Sequence, residues 1–204
     1  MENYSLREAF LVERVVVDTD GGIDDAVALS LLLRSHYVTA QGRRPVYGAQ
    51  GSPCSAVQIL GVTVVAGNVP LSFGVESVKQ VVSLVASTAS THWKLGSAAH
   101  PCGKLVPIPI YAGAAGPMVG GRCVPSWTGH GSNGLGDIAF PELPKATSAF
   151  EVRDEVAACA LVKLVNQYPG ELTVLLLGPM TNLALAVRLD STLPSKLGEF
   201  GRAI

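Results

Sequence analysis

The sequence is poor in charged and aromatic residues, and this shortage narrows the range of functions. Charged residues make up 15% of the 204 residues and aromatic residues 6%. Lys and Arg number 15 and Asp and Glu 16, so the net charge is −1, and no block of like charge occurs. Proteins that bind nucleic acid or an anionic membrane usually carry a basic patch or tail. We therefore expect no nucleic acid and no membrane as partner, but a small molecule.

Disulfide and targeting signals are also missing. The four cysteines are widely spaced and include no C-x-x-C pair, which favours reduced thiols over a disulfide framework. The first thirteen residues carry four charges and lack the apolar run of a signal peptide. No apolar stretch reaches the ~18–20 residues that cross a bilayer. These features predict a soluble, cytoplasmic protein.

Apolar runs of strand length alternate with segments of helical period. Hydrophobic residues make up 48% of the chain, enough for the core of one domain spanning residues 1–204. The predicted strands are 14–18, 59–66, 108–112 and 172–177, and the predicted helices are 23–34, 72–90, 148–167 and 181–189. Ser148 and Glu151 match a capping box at the start of the third helix. The alternation predicts an α/β fold: an open, mostly parallel sheet with helices on both faces.

Two segments are too long and irregular for ordinary connections. Residues 36–57 are rich in Gly and Pro and lack a period, whereas connections in βαβ units usually have ~2–6 residues. We interpret them as an insertion on the sheet edge away from the active crevice. Residues 113–144 form a glycine-rich loop after a predicted strand, where long loops tend to carry function.

An acidic cluster follows the first predicted strand. Its four carboxylates, within eight residues, are Asp18, Asp20, Asp24 and Asp25. Acids so close repel one another unless a cation or shared protons compensate them. Gly21 and Gly22 allow the backbone to turn sharply, so that acids on both sides can face one point. One or two acids there would suit a helix cap; four predict a site for a hard divalent cation, Ca²⁺ or Mg²⁺.

Five motifs, in order, resemble those of the inosine–uridine-preferring nucleoside hydrolases. They are VDTDGGIDDA (17–26), GVTVVAGNV (61–69), PIYAGAAGPM (109–118), HGSNGLG (130–136) and LGPMTNLA (177–184). The first resembles the family pattern D-x-D-x-G-x-D-D-A, and the resemblance extends over nearly the whole chain except 36–57, part of 91–105 and the extreme N-terminus. The resemblance implies cleavage of the N-glycosidic bond of purine and pyrimidine ribonucleosides to free base and ribose.

The resemblance also implies a role for individual residues. Asp20 would be a Ca²⁺ ligand and the base that activates water, Asp25 a second ligand, and the Leu177 carbonyl a third. Asp24 would bind a ribose hydroxyl and Asn68 would lie near the sugar and the water. His130 would lie near the base, although a histidine in a glycine-rich loop is often only solvated. Family members are usually dimers or tetramers, which implies a homo-oligomer.

The chain departs from the family at Gly21, where proline is usual, and at its end. The family continues beyond the last residue here through substrate-binding Asn and Glu residues to a late His–Asp pair. We therefore expect a C-terminally truncated family member, from an alternative transcript or a gene-model error. Residues 1–204 alone are expected to hydrolyse nucleosides poorly, because one carboxylate ligand and the late acid are missing.

Other interpretations remain open at this point. Asp18 and Asp20 also resemble the nucleophile and acid of haloacid-dehalogenase-like phosphohydrolases, a reading that leaves the other two acids unexplained. A catalytically inactive nucleoside hydrolase-like protein is the second alternative. Asp18 could orient the turn instead of touching a metal, and Asn182 is predicted to cap the fourth helix. The sequence does not fix the preferred nucleobase.

Overall fold

A computed structural model of the chain describes residues 12–40, 56–91, 106–121, 128–139 and 149–197. In chain order, the elements within these ranges are β1 (Val12–Thr19), α1 (Ile23–Ala40), β2 (Ala56–Val64), α2 (Leu71–Thr91), β3 (Ile108–Ala112), β4 (Phe150–Arg153), α3 (Ala157–Gln167), β5 (Leu172–Leu176), α4 (Thr181–Leu189) and α5 (Leu193–Lys196). No helix in these ranges is long and apolar enough to cross a membrane.

The five strands form one parallel sheet in the order β4-β3-β2-β1-β5. The central strand β1 shows why helices cover both faces. Val15 and Val17 pack with residues of α1 and α2, whereas Val16, on the opposite face, packs with residues of α3, α4 and α5. All three valines are buried because a strand covered on both sides has no solvent face. The predicted α/β fold is confirmed.

The predicted helix over 148–167 is wrong in its first half. Residues Phe150–Arg153 form the edge strand β4 and the helix begins only at Ala157. Ile108 pairs with Phe150 across β3 and β4, and the Ile108 N–H donates to the Ala149 carbonyl at 2.9 Å. The segment in which the capping box would have opened a helix therefore pairs with β3 instead, and the N-cap residue Val156 makes no side-chain cap bond.

The prediction that residues 36–57 are irregular is wrong at both ends of the segment. Helix α1 continues to Ala40 because His36 and Tyr37 are buried in the core, where His36 Nδ1 accepts the Ile59 N–H at 3.1 Å. Strand β2 then begins at Ala56. Residues 41–55 lie outside the described residues, as does the strand expected after residue 200. The end of α1 and the start of β2 lie on the amino side of the sheet, opposite the carboxyl ends of the strands.

Candidate active site

The carboxyl ends of three neighbouring strands bring the acidic cluster together with two other segments. Thr19 pairs with Val64 at the ends of β1 and β2, and Asp18 pairs with Leu176 at the ends of β1 and β5. The residues that follow these strands must therefore lie side by side. In open parallel sheets this edge is where ligands bind.

Asp20 is held by a single neighbour through both of its carboxylate oxygens. The Asn68 backbone N–H donates to Oδ2 at 2.9 Å, and the Asn68 side-chain amide donates to Oδ1 at 3.0 Å. The side chain of Asp20 is buried, so this pair of bonds fixes the direction of a carboxylate that has little contact with bulk water. The structure thus brings together two residues that the sequence predicted to share a site.

Glycines around Asp20 leave the room that this arrangement needs. A Cβ at Gly67 would overlap Asp20 Oδ2, and one at Gly178 would lie 3.0 Å from the Asp20 Cβ and Cγ. Gly21 adopts a φ of +77°, a conformation that side chains disfavour. The close approach of the β2 and β5 ends to the acidic turn therefore depends on residues without side chains.

Asp25 is the second buried acid of the cluster. Thr19 Oγ1 donates to its Oδ1 at 2.6 Å and the Gly22 N–H donates to its Oδ2 at 3.2 Å. Burial raises the pKa of Asp25 to about 7, the Thr19 hydrogen bond opposes this, and the nearby charges of Asp20 and Asp24 raise it further. Two buried carboxylates therefore lie close enough to disfavour each other's charge, a situation that a cation relieves.

Asp18 lies below this pair and exposes none of its surface. Its Oδ1 accepts hydrogen bonds from Thr63 Oγ1 at 2.6 Å and from Asn182 Nδ2 at 2.8 Å. Its Oδ2 has no hydrogen-bond partner among the residues that the structure describes. Burial raises the pKa of Asp18 to about 6. The two hydrogen bonds lower this pKa, and the charge of Asp20 raises it by a smaller amount. A side chain so enclosed is not placed to attack a phosphate, which removes the support for the phosphohydrolase interpretation; it orients the turn instead.

The prediction that Asn182 caps α4 is wrong. The N-cap residue is Met180, and no side chain caps the helix. Asn182 instead points into the core: besides Asp18, its Nδ2 donates to the Val64 carbonyl at 3.1 Å and its Oδ1 accepts the Ala114 N–H at 2.8 Å. Buried polar contacts across the sheet satisfy this amide more completely than a helix end would.

Asp24 and His130 lie at the outer side of the cluster. The Asp24 side chain is 81% exposed, and its Oδ1 is 3.9 Å from His130 Nδ1. The same Nδ1 accepts the backbone N–H of Ile23 at 3.1 Å, at the start of α1. His130 therefore lies beside the acidic cluster and satisfies one of the free N–H groups of a helix N-terminus. Its place near the nucleobase stays a prediction.

The glycine-rich segment 128–139 lies against the acidic turn. Ser77 Oγ on α2 donates to the Asn133 carbonyl at 2.7 Å, and a Cβ on Gly134 would overlap the Gly21 carbonyl. Asp137 closes the segment on itself, because its carboxylate accepts the Ser132 N–H at 2.7 Å and the Ser132 hydroxyl at 2.6 Å. This segment therefore forms one wall of the crevice.

The donor set near Asp20 consists of hard oxygen atoms. The Leu177 N–H donates to the Asp18 carbonyl at 2.8 Å, which places the Leu177–Gly178 backbone beside the acidic turn. Within the described ranges, no three His, Cys, Asp or Glu side chains converge as a metal site. Asp20 and Asp25 supply a pair, and a backbone carbonyl such as that of Leu177 suits the same oxygen-seeking cations.

Three residues that shape the site were not singled out from the sequence for this role: Thr19, Thr63 and Asn182. Each is fully buried and bonds to an acid of the cluster. A signal was present for two of them, since Thr19 and Thr63 are polar residues within otherwise apolar strands. Asn182 had no such signal, because its partner Asp18 is 164 positions away.

Several known proteins similar to this chain are named nucleosidases or nucleoside hydrolases. A model of the family described as inosine-uridine preferring nucleoside hydrolase matches residues 15–201. The chain is 33% identical over 185 residues to probable uridine nucleosidase 2 of Oryza sativa subsp. japonica, covering 91% of this chain and 43% of the relative. It is 29% identical over 187 residues to the inosine-uridine preferring nucleoside hydrolase of Leishmania major, covering 91% of this chain and 46% of the relative.

Solved structures similar to this chain are also nucleoside hydrolases. A plant nucleoside hydrolase matches with a TM-score of 0.63 and 26% identity, over 92% of this chain and 46% of its own. A purine-preferring ribonucleoside hydrolase from Gardnerella vaginalis matches with a TM-score of 0.64 and 25% identity, over 92% of this chain and 47% of its own. The chain thus spans just under half the length of these relatives. Since the family model matches residues 15–201, well over half of the chain, the chain belongs to the inosine-uridine preferring nucleoside hydrolase family.

Proposed function

We propose that the whole protein hydrolyses the N-glycosidic bond of ribonucleosides, with Asp20 as the base that takes a proton from the attacking water. The observation that carries the proposal is the pair of buried acids, Asp20 and Asp25, beside the Asn68 amide at the carboxyl edge of the sheet. The names of the relatives support a nucleoside as the substrate class.

The contacts of Asp20 suit the role of base. Both oxygens are oriented by Asn68, so a water molecule would meet a carboxylate of fixed direction. A well-placed base contributes ~10²–10⁴-fold to such a reaction. Asp24, exposed at the outer side of the cluster, is available to bind a ribose hydroxyl, and His130 beside it faces the same region. N-Glycosidic cleavage passes through an oxocarbenium-like state, which nearby carboxylates stabilise.

We further propose that Asp20, Asp25 and the Leu177 carbonyl hold Ca²⁺. When bound, this cation would lower the pKa of a water molecule and orient the ribose diol. The residues fit it in kind, because all three donors are oxygens and because Asp20 and Asp25 are two buried carboxylates whose charges oppose each other. Ca²⁺ takes 6–8 oxygen ligands, so water and the substrate would complete the shell.

We also propose that the protein is a homo-oligomer and that it is located in the cytoplasm. The family resemblance supports the first part and the wide cysteine spacing supports a reducing compartment. Sedimentation velocity and cell fractionation test the two statements.

The direct test is an assay for free base. The purified whole protein is incubated with uridine and inosine in excess Ca²⁺, beside its Asp20→Asn variant and the control Glu13→Gln. The control changes an exposed acid near the start of β1, whereas Asp20 follows the end of that strand. We expect base release by the wild type and the control, and a loss of at least ~10²-fold in Asp20→Asn. No release from any ribonucleoside would overturn the function. A mutant that keeps more than about a tenth of the rate would overturn the role of Asp20. Hydrolysis of an aryl phosphate by the same preparation would restore the phosphohydrolase alternative.

A further inference from the structure

The side chain of Asn182 connects the ends of three strands to the start of α4. It is fully buried, and its amide makes hydrogen bonds to Asp18 Oδ1 at 2.8 Å, to the Val64 carbonyl at 3.1 Å and from the Ala114 N–H at 2.8 Å. Asp18 lies near the end of β1, Val64 ends β2, and Ala114 follows β3. Because α4 follows β5, one amide joins the carboxyl ends of β1, β2 and β3 to the helix that comes after β5.

The side-chain amide of Asn182 is packed so closely against Gly113 that it cannot shift. A Cβ at Gly113 would overlap the Asn182 side chain, and all three of its nearest atoms would belong to that amide. Gly113 does not have a positive φ, so its backbone does not itself require glycine. The glycine is explained by the position of Asn182. A misplaced amide would leave buried donors and acceptors unpaired, which is costly in a low-dielectric interior.

The points that Asn182 joins each lead directly into the active site. Asp18 precedes Asp20 by two residues on the same extended backbone, and Val64 precedes Asn68 by four. The distance between Asp20 and Asn68 is therefore set by how β1 and β2 are held together at their ends. Thr63 supports the same point, since its hydroxyl donates to the Asp18 oxygen that Asn182 also reaches.

We propose that Asn182 is a positioning residue for the reaction: acting through Asp18 and the end of β2, it fixes the Asp20 carboxylate relative to Asn68. This inference rests on the proposed function, in which Asp20 is the base. A displacement of about 1 Å at a reacting group can lower a rate by roughly 10²-fold. Asn182 reaches the reacting atoms only through other residues.

The test compares two variants that disturb the amide in different ways. Asn182→Ala removes it, and Gly113→Ala displaces it without changing its chemistry. Val165→Ala, which truncates a fully buried side chain of α3 in the core, is the control for lost stability alone. Rates are measured per folded molecule, with the folded fraction taken from circular dichroism. We expect kcat to fall ~10–10²-fold in both amide variants, with KM within about threefold, and no such fall in the control. If Asn182→Ala does not fold, Gly113→Ala carries the comparison.

A double-mutant cycle provides a readout that a merely structural role would not change. Thr63→Val removes the other donor to Asp18 Oδ1, so its effect on kcat should combine with that of Asn182→Ala to less than the product of the two. In the double mutant of Asn182→Ala and Val165→Ala, the two effects on kcat should simply multiply. Hydrogen exchange at the Ala114 N–H should rise at least ~10-fold in both amide variants.

The outcomes separate the two proposals. A wild type without nucleosidase activity overturns the proposed function itself. An active wild type whose amide variants behave like Val165→Ala, or whose effects with Thr63→Val simply multiply, overturns the positioning role alone.

Discussion

Replacing Asp18 by Asn should change the pH dependence of stability in a defined way. Burial raises the pKa of Asp18 from 3.8 to about 6 in the folded protein. The folded state therefore binds this proton more tightly than the unfolded state does, and stability falls as the pH rises from about 3.8 to about 6 and then stays level. The full effect is about 3 kcal/mol, and between pH 4.5 and 7.5 it is about 2 kcal/mol.

The assay is urea unfolding of wild type and Asp18→Asn at several pH values. The amide in the mutant places an unpaired N–H₂ where Oδ2 lies, and this costs the same free energy at every pH. This constant cost cancels when the difference in the free energy of unfolding between the two proteins at pH 4.5 is subtracted from the same difference at pH 7.5. We expect the mutant to gain about 2 kcal/mol relative to wild type across this range. A difference independent of pH would refute the reasoning, because it would mean that Asp18 is already ionised in the folded protein at pH 4.5.

Three further predictions concern the site. Because burial raises the pKa of Asp25 to about 7, Ca²⁺ must displace a proton at lower pH, and its Kd by calorimetry should rise about tenfold per pH unit below 7; a flat Kd would contradict the role of Asp25 as a ligand. Gly67→Ala should lower kcat by roughly 10²-fold because its Cβ displaces the Asp20 carboxylate, whereas Gly170→Ala, strained by a φ of +77° but far from the site, should lower only the melting temperature. His130→Ala should lower the free energy of unfolding in urea by about 1 kcal/mol, since it removes an acceptor from the start of α1; unchanged stability would show that the contact contributes nothing.

The elements that the sequence predicted well are those with a strong local pattern. The predictions for β3 over 108–112 and α4 over 181–189 agree with the structure residue for residue. Strand β3 is uniformly apolar and lies between Pro107 and Gly113, and α4 has a helical period and begins two residues after Pro179. The failure at β4 has a specific cause: Phe150 and Val152 alternate with Glu151 and Arg153, a two-residue period that the helical pattern after Ala157 obscured. A four-residue edge strand depends on its neighbour β3 more than on its own residues.

Site residues close together in the sequence could be predicted, whereas contacts between distant segments could not. Asp20, Asp24 and Asp25 could be predicted because they fall within six consecutive residues around a glycine turn. Asn68 could be added because strand ends in a parallel sheet meet at one edge. The contact between Asn182 and Asp18 could not, since it depends on the order of strands and on which face of α4 turns inward. A sequence pattern carries the first kind of information and only the three-dimensional arrangement carries the second.

The burial of Asp18 raises the question of why an acid occupies a position where it lowers stability at neutral pH. Apart from catalysis, an asparagine would keep an acceptor for Thr63 and Asn182 without a charge to bury. A carboxylate accepts both hydrogen bonds more strongly, because charge-assisted bonds are shorter and roughly twice as strong as neutral ones. The carboxylate therefore makes the end of β1 more rigid but does not raise the net stability. This rigid point lies two residues before Asp20, whose carboxylate must hold its position within a fraction of an ångström. On this argument stability and catalysis are opposed at Asp18. Asp18→Asn should then lose rate per folded molecule even at a pH where it unfolds no more easily than the wild type, and a mutant with full activity there would show that the charge has no part in holding Asp20.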